Sequence, residues 1–136
     1  ADKLLKFLRY YGIDGIGYNS EFSIGSGLSA DGLKTLLSQC FAKREAAKWP
    51  YFTNAWYSLM TSGGTVGGGD ALSSSNQDWF HWNGNPTSDA YFMNYNWGAS
   101  GLSTSQSTAK SFAGRSSYDV YGGMDFQGRL DCFEEC

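Results

Sequence analysis

IDGIGYNSE, residues 13–21, alternates isoleucine and aromatic residues and then ends in polar side chains. It reads as a short strand running into a functional end. The stretch before it, DKLLKFLRYY at 2–11, sets Leu4, Leu5, Leu8 and Tyr11 at helical spacing, and Gly12 follows as a C-cap. After it, Ser29 is a candidate N-cap for a helix to about Lys48, with Leu33, Leu36, Leu37 and Cys40 on one face. Pro50 stops that helix. YFTNAWYSLM at 51–60 predicts a second strand, DAYFMNYNW at 89–97 a third and YDVYGGMDF at 118–126 a fourth. A weakly amphipathic helix over 103–114, opened by Ser103 or Thr104, separates the last two. Residues 61–88 are rich in Gly, Ser and Asn, and Trp79, Phe80, His81 and Trp82 suggest a short helix around Asn76–Trp82.

Strands alternating with helices at these intervals predict parallel βα units, an α/β fold. Polar and aromatic residues gather where each strand ends: Asn19 and Glu21, Trp56 and Tyr57, Asn94 to Trp97, Asp125 and Gln127. In parallel α/β sheets and barrels that end carries the chemistry.

Composition narrows the chemistry. The chain has 136 residues, one domain's worth or a piece of a larger one, with 10 Lys plus Arg against 13 Asp plus Glu. That acidic balance opposes nucleic-acid binding. No apolar run is long enough to insert into a membrane. An opening at Ala1, without Met and already inside a helical pattern, reads as a segment of something longer. One histidine, His81, excludes multi-His metal sites and makes a packing or substrate-contact role the simpler reading for that side chain. Asp14, Glu21, Asp119 and Asp125 fit no calcium-loop spacing, so no metal and no cofactor is expected. The glycines at 63–64 and 67–69 lack the Lys-Ser/Thr of a phosphate loop and instead let a loop bend over a cleft. Cys40, Cys132 and Cys136 form no disulfide framework. The excess is aromatic, 17%, with many rings beside Asn, Gly and Ser. Rings for pyranose faces and amides for hydroxyls are what a sugar cleft needs.

Asn19-Ser20-Glu21 is the sharpest local feature. Along a strand, positions i and i+2 project to one side, so the amide and the carboxyl enter one cleft together. Glu21 can give a proton to a leaving oxygen once partial burial favours its neutral form. Asn19 cannot serve as nucleophile or base, but it can orient another amide. An N-acetylated sugar brings such an amide, whose carbonyl oxygen can attack its own anomeric carbon. The pair therefore suggests substrate-assisted hydrolysis, an exception to the two-carboxylate scheme.

Four segments in order resemble glycoside hydrolase family 85, the endo-β-N-acetylglucosaminidases. IDGIGYNSE resembles the family's DG…N-x-E signature, and NAWY at 54–57 its next strand, ending in Trp-Tyr. AYFMNYNW at 90–97 is similar to its Asn-Tyr-x-Trp strand, and YDVYGGMDFQGR at 118–129 to its D-V-Y-x-G-x-D-x-x-G-R strand. The resemblance implies a (β/α)8 TIM barrel that cuts the chitobiose core of N-glycans between its two N-acetylglucosamines, with a glycoprotein or N-glycan as partner. Carried onto this chain, it makes Glu21 the general acid/base and Asn19 the holder of the 2-acetamido group while an oxazolinium forms. Tyr57 would contact that group, and Trp97 would be an aromatic wall. Trp56, Asn94, Asp125 and Gln127 complete the expected substrate contacts. The family often has Trp-Tyr-Asp where Ser58 follows Tyr57 here.

A complete barrel takes about 250 residues or more. Residues 1–136 would form about four βα units, half a barrel, needing the remaining strands or a second copy to cover its edges and inactive without them. A non-catalytic glycan-binding module is the alternative, and a different α/β enzyme using His81 or a serine is a third. The Gly-, Ser- and Asn-rich loops lean toward an exported or cell-surface bacterial protein, although the family also has cytosolic members.

Overall fold

The computed structural model describes residues 1–124. The expected contacts at Asp125 and Gln127, like Gly128 and Arg129, lie outside the described residues. Helix α1 spans Asp2–Tyr10 and strand β1 Gly15–Tyr18. Gly12 adopts a left-handed φ of +66°. This lets its N–H reach the Arg9 carbonyl at 3.3 Å and the Ile13 N–H reach that of Leu8 at 2.9 Å. Together these bonds close the helix as a Schellman turn.

Helix α2 covers Ala30–Ala46, and its N-cap Ser29 accepts from the Gly32 N–H at 2.9 Å. Leu37 and Cys40 are fully buried and Leu33 and Leu36 partly so, which makes the predicted face the real one. The helix stops short of Lys48, which turns left-handed at φ 48°. Pro50 biases the residue before it away from helical geometry, so the helix ends upstream of both.

Strands β2 (Thr53–Tyr57), β5 (Ala90–Met93) and β6 (Val120–Gly122) join β1 in a four-stranded sheet ordered β1-β2-β5-β6, parallel throughout. Strand neighbours therefore follow chain order, as in a section cut from a βα barrel. The expected strands are real but shorter: β1 ends before Asn19.

Two expectations between the strands are corrected. The short helix expected around Asn76–Trp82 is confined to its first half. A single 3-10 turn, Gln77–Trp79, is followed by an antiparallel hairpin of β3 (His81–Trp82) and β4 (Asn85–Pro86). Asn83 and Gly84 at its tip both have positive φ, the backbone that a tight hairpin turn demands. Helix α3 runs from Ala99 to Lys110, opening four residues before Ser103. Tertiary anchoring decides this start: Ser105 accepts from the Leu72 N–H at 2.9 Å and donates to the Gly101 carbonyl at 2.7 Å.

Strand register sorts the side chains into rows. Tyr18, Trp56, Tyr91 and Val120 are aligned and face the helices. Trp56 stacks on Trp79 at 4.3 Å and 7° and on Tyr18 at 5.5 Å, with Leu37, Met60, Leu72, Phe80 and Met93 completing the core. At the N-terminal ends of the strands, Arg44 holds Asp89 through both carboxylate oxygens at 2.9 Å. Asp89 also accepts from the Asn54 N–H at 2.7 Å. Arg115 donates to the Ser88 and Asp89 carbonyls. These bonds lock α2, β2, β5 and the turn before β6 into one body.

Candidate active site

The opposite end of the sheet is built differently. Gly17, Ala55 and Ala90 form one row facing away from the helices. Above them come Tyr57, Phe92 and Tyr121. Small residues below and rings above leave an open cleft of about 330 Å³, lined by Gly17, Asn19, Glu21, Ala55, Tyr57, Phe92 and Tyr95 among others.

Asn19 and Glu21 lie beyond the last residue of β1, yet the strand's alternation persists through them. Ser20, between the two, is buried, and its hydroxyl donates to the Tyr57 carbonyl at 2.5 Å. That bond ties the end of β1 to the end of β2. It turns Asn19 and Glu21 into the cleft beside Tyr57, where both are exposed. The three residues assigned to catalysis are thus brought together.

The Tyr57 phenol donates to Asn94 Oδ1 at 2.6 Å, and Asn94 Nδ2 donates to Asp70 Oδ1 at 2.5 Å. Ser58, standing where the family often has Asp, is fully buried, and its Oγ accepts from the Asn94 N–H at 3.0 Å. The support of Tyr57 therefore comes from Asn94 just after β5, which Ser58 and, from the loop after β2, Asp70 hold in place.

Three expected substrate contacts are engaged by other parts of the protein. Trp56 is 1% exposed and belongs to the core, its ring on the helix side of the sheet against Trp79. Adjacent strand residues face opposite ways, so Trp56 borders the cleft beside Tyr57 while its ring packs on the helix side. Asn94 touches Tyr57 rather than lining the cleft. Trp97 is half-buried: its Nε1 donates to the Gly123 carbonyl at 2.8 Å. Its ring lies on Gly122, where a Cβ would come within 2.6 Å. Phe92 and Tyr95 supply the aromatic walls instead, and the Tyr57–Phe92 register would have identified the first of them.

His81 is remote from this cleft and stacks on Phe112 at 4.7 Å and 16°. Partial burial, with Arg115 nearby, lowers its pKa below the usual imidazole value. Asp119, once grouped with possible metal ligands, pairs with Arg115 at 3.0 Å. Among the described residues, no three His, Cys, Asp or Glu side chains could hold a metal ion. None of the described helices is long and apolar enough to cross a membrane. A larger cleft of about 610 Å³ lies around Arg44, Asp89 and Arg115, at the strand ends that serve stability in such folds.

The family model described as Glycosyl hydrolase family 85 matches residues 1–135. Among solved structures, the chain is similar to the glycoside hydrolase domain of Endo-D from Streptococcus pneumoniae R6, at 28% identity and a TM-score of 0.66. The match covers 88% of this chain but 19% of that one, so the chain spans about a fifth of that protein's length. No curated relative matches. The parallel βα units are therefore part of a (β/α)8 barrel.

Proposed function

Because the chain belongs to glycosyl hydrolase family 85, we propose that its parent protein is an endo-β-N-acetylglucosaminidase cutting the chitobiose core of N-glycans by substrate assistance. The observation that carries this reading is the convergence of Asn19, Glu21 and Tyr57 in one cleft at the C-terminal strand ends. In the first step, the substrate's acetamido oxygen attacks the anomeric carbon from the face opposite the leaving sugar. The bond to the leaving oxygen breaks as Glu21 delivers its proton there, leaving an oxazolinium. Asn19 and Tyr57 hold the acetamido group in the attacking position, which replaces a protein nucleophile by a tethered one. In the second step, the Glu21 carboxylate takes a proton from water as the water oxygen attacks the same carbon and the ring reopens. Two inversions give net retention. Asp125 and Gln127 are proposed as further sugar contacts. The rest of the barrel supplies the remaining walls, so the 136-residue chain alone is expected to be inactive.

Glu21→Gln in the parent should lower glycan release from a glycopeptide by about 100-fold or more, the lower range for loss of a general acid. Asn19→Ala should fail on glycopeptide yet still accept a preformed sugar oxazoline as donor. A Glu21→Gln enzyme that binds glycan unchanged but never had turnover to lose would instead make the protein a glycan-binding module. Near-normal hydrolysis by Glu21→Gln would sink the acid/base assignment.

A further inference from the structure

We propose that Asp70 is a positioning residue for Tyr57, acting through Asn94; this rests on the reading of Tyr57 as a substrate-contacting group. The two ends of a carboxamide have nearly the same shape but opposite hydrogen-bonding roles, so a lone Asn offers Tyr57 either an acceptor or a donor. Here the surroundings decide. The Tyr95 backbone N–H can only donate, and it lies 2.8 Å from Asn94 Oδ1. On the other end, Asp70 Oδ1 accepts from Asn94 Nδ2. Both partners impose one orientation, with Oδ1 turned to the phenol at 2.6 Å. Tyr57 must then be the donor in that bond. A phenol has one proton, so any other group bonded to its oxygen must itself be a donor, such as a substrate amide N–H or hydroxyl.

The loop that carries Asp70 is built to hold it there. Asn76 is fully buried, and its Nδ2 donates to the Gly68 carbonyl at 2.8 Å and the Ala71 carbonyl at 2.9 Å, on either side of Asp70. The same Nδ2 approaches the Ser58 carbonyl at 3.3 Å, next to Tyr57 itself. Gly68 packs so tightly on the segment just after β2 that a Cβ would meet the Met60 and Ser58 carbonyls at 2.6 and 2.7 Å. Gly69 takes a left-handed φ of 87° just before Asp70. The glycine run is therefore folded back onto the strand end, and the carboxylate is delivered as part of that packing.

The test is a double-mutant cycle in the intact parent enzyme, with glycopeptide hydrolysis and the melting midpoint measured for each variant. Asp70→Ala should lower kcat by about 10-fold with KM and the melting midpoint nearly unchanged. Asp70→Asn should restore kcat to within about 3-fold of wild type, since its amide oxygen can still accept from Asn94. In a Tyr57→Phe background, Asp70→Ala should have no further effect, because the hydroxyl it serves is gone. If Asp70→Ala melts early, Asp70→Leu fills the same space without an acceptor and takes its place in the cycle. Equal losses from Asp70→Ala with and without the Tyr57 hydroxyl would overturn the proposal and leave the reading of Tyr57 intact. Full activity of Tyr57→Phe would overturn both.

Discussion

On the helix side of the sheet, the row Tyr18, Trp56, Tyr91 and Val120 meets Trp79, Leu37 and Met60, and Trp56, Tyr91, Trp79, Leu37 and Met60 are at most 1% exposed. On the other side, Gly17 and Ala55 leave a floor with little side chain above it, and Tyr57 and Phe92 line the cleft there. The same strands thus carry two kinds of surface. One is filled by large rings that exclude water; the other keeps an open cleft, with polar groups held in place beside it. Residue-by-residue alternation along β2 assigns neighbours to opposite tasks: Trp56 to stability and Tyr57 to the site.

That contrast is easiest to break with truncations. Trp79→Ala should destabilise the chain by about 3–5 kcal/mol in chemical denaturation, since the ring's removal leaves Trp56 facing a cavity. Phe92→Ala, on the cleft side, should cost roughly 1 kcal/mol. Equal costs would mean that the cleft side is packed as tightly as the core. A comparable effect, about 1 kcal/mol, is expected for Ser29→Ala, which removes the α2 cap and leaves the cleft untouched. Loss of glycan release without loss of stability in that variant would contradict the division between the two surfaces.

The smallest expected effect is on pH dependence. The folded pKa of His81 is lowered from the usual value of about 6.5, chiefly by burial and then by Arg115. The folded state therefore prefers the neutral ring, and the unfolded state binds more protons just below pH 6.5. Stability from this group is present above the unfolded value and is lost as pH falls through the lowered folded one. A shallow decline in the melting midpoint on acidification, flattened by His81→Gln, is the expected outcome. An unchanged slope in His81→Gln would assign the decline to other groups.

Much of this division was legible in the chain. Ser29 and the Leu33–Cys40 face predicted α2, and the i, i+2 spacing of Asn19 and Glu21 predicted their shared cleft. The parallel sheet followed from the alternation of elements. The core packing of the Trp56 ring on Trp79 was not legible from a strand end read as one aromatic cluster, although alternation separates that ring from Tyr57. The start of α3 was hidden because Gly98-Ala99-Ser100-Gly101 has poor helix propensity, and only packing against the Leu72 segment selects it. Asp70 gave no local signal: its partner Asn94 is 24 positions away, and the bond exists only because the loop doubles back.

The consecutive order β1-β2-β5-β6 also sets a schedule for synthesis. Each later strand of the sheet finds its preceding partner already made when it leaves the ribosome. At roughly 5–20 residues per second, the pause between completing β2 and delivering β5 lasts a few seconds. Through that interval Trp56 has Tyr18, its neighbour in the first strand pair, as a ring to lie against. Trp79 arrives before β5 and covers it further. The nascent sheet is thus sheltered on its helix-facing side while it grows, where its largest buried rings lie.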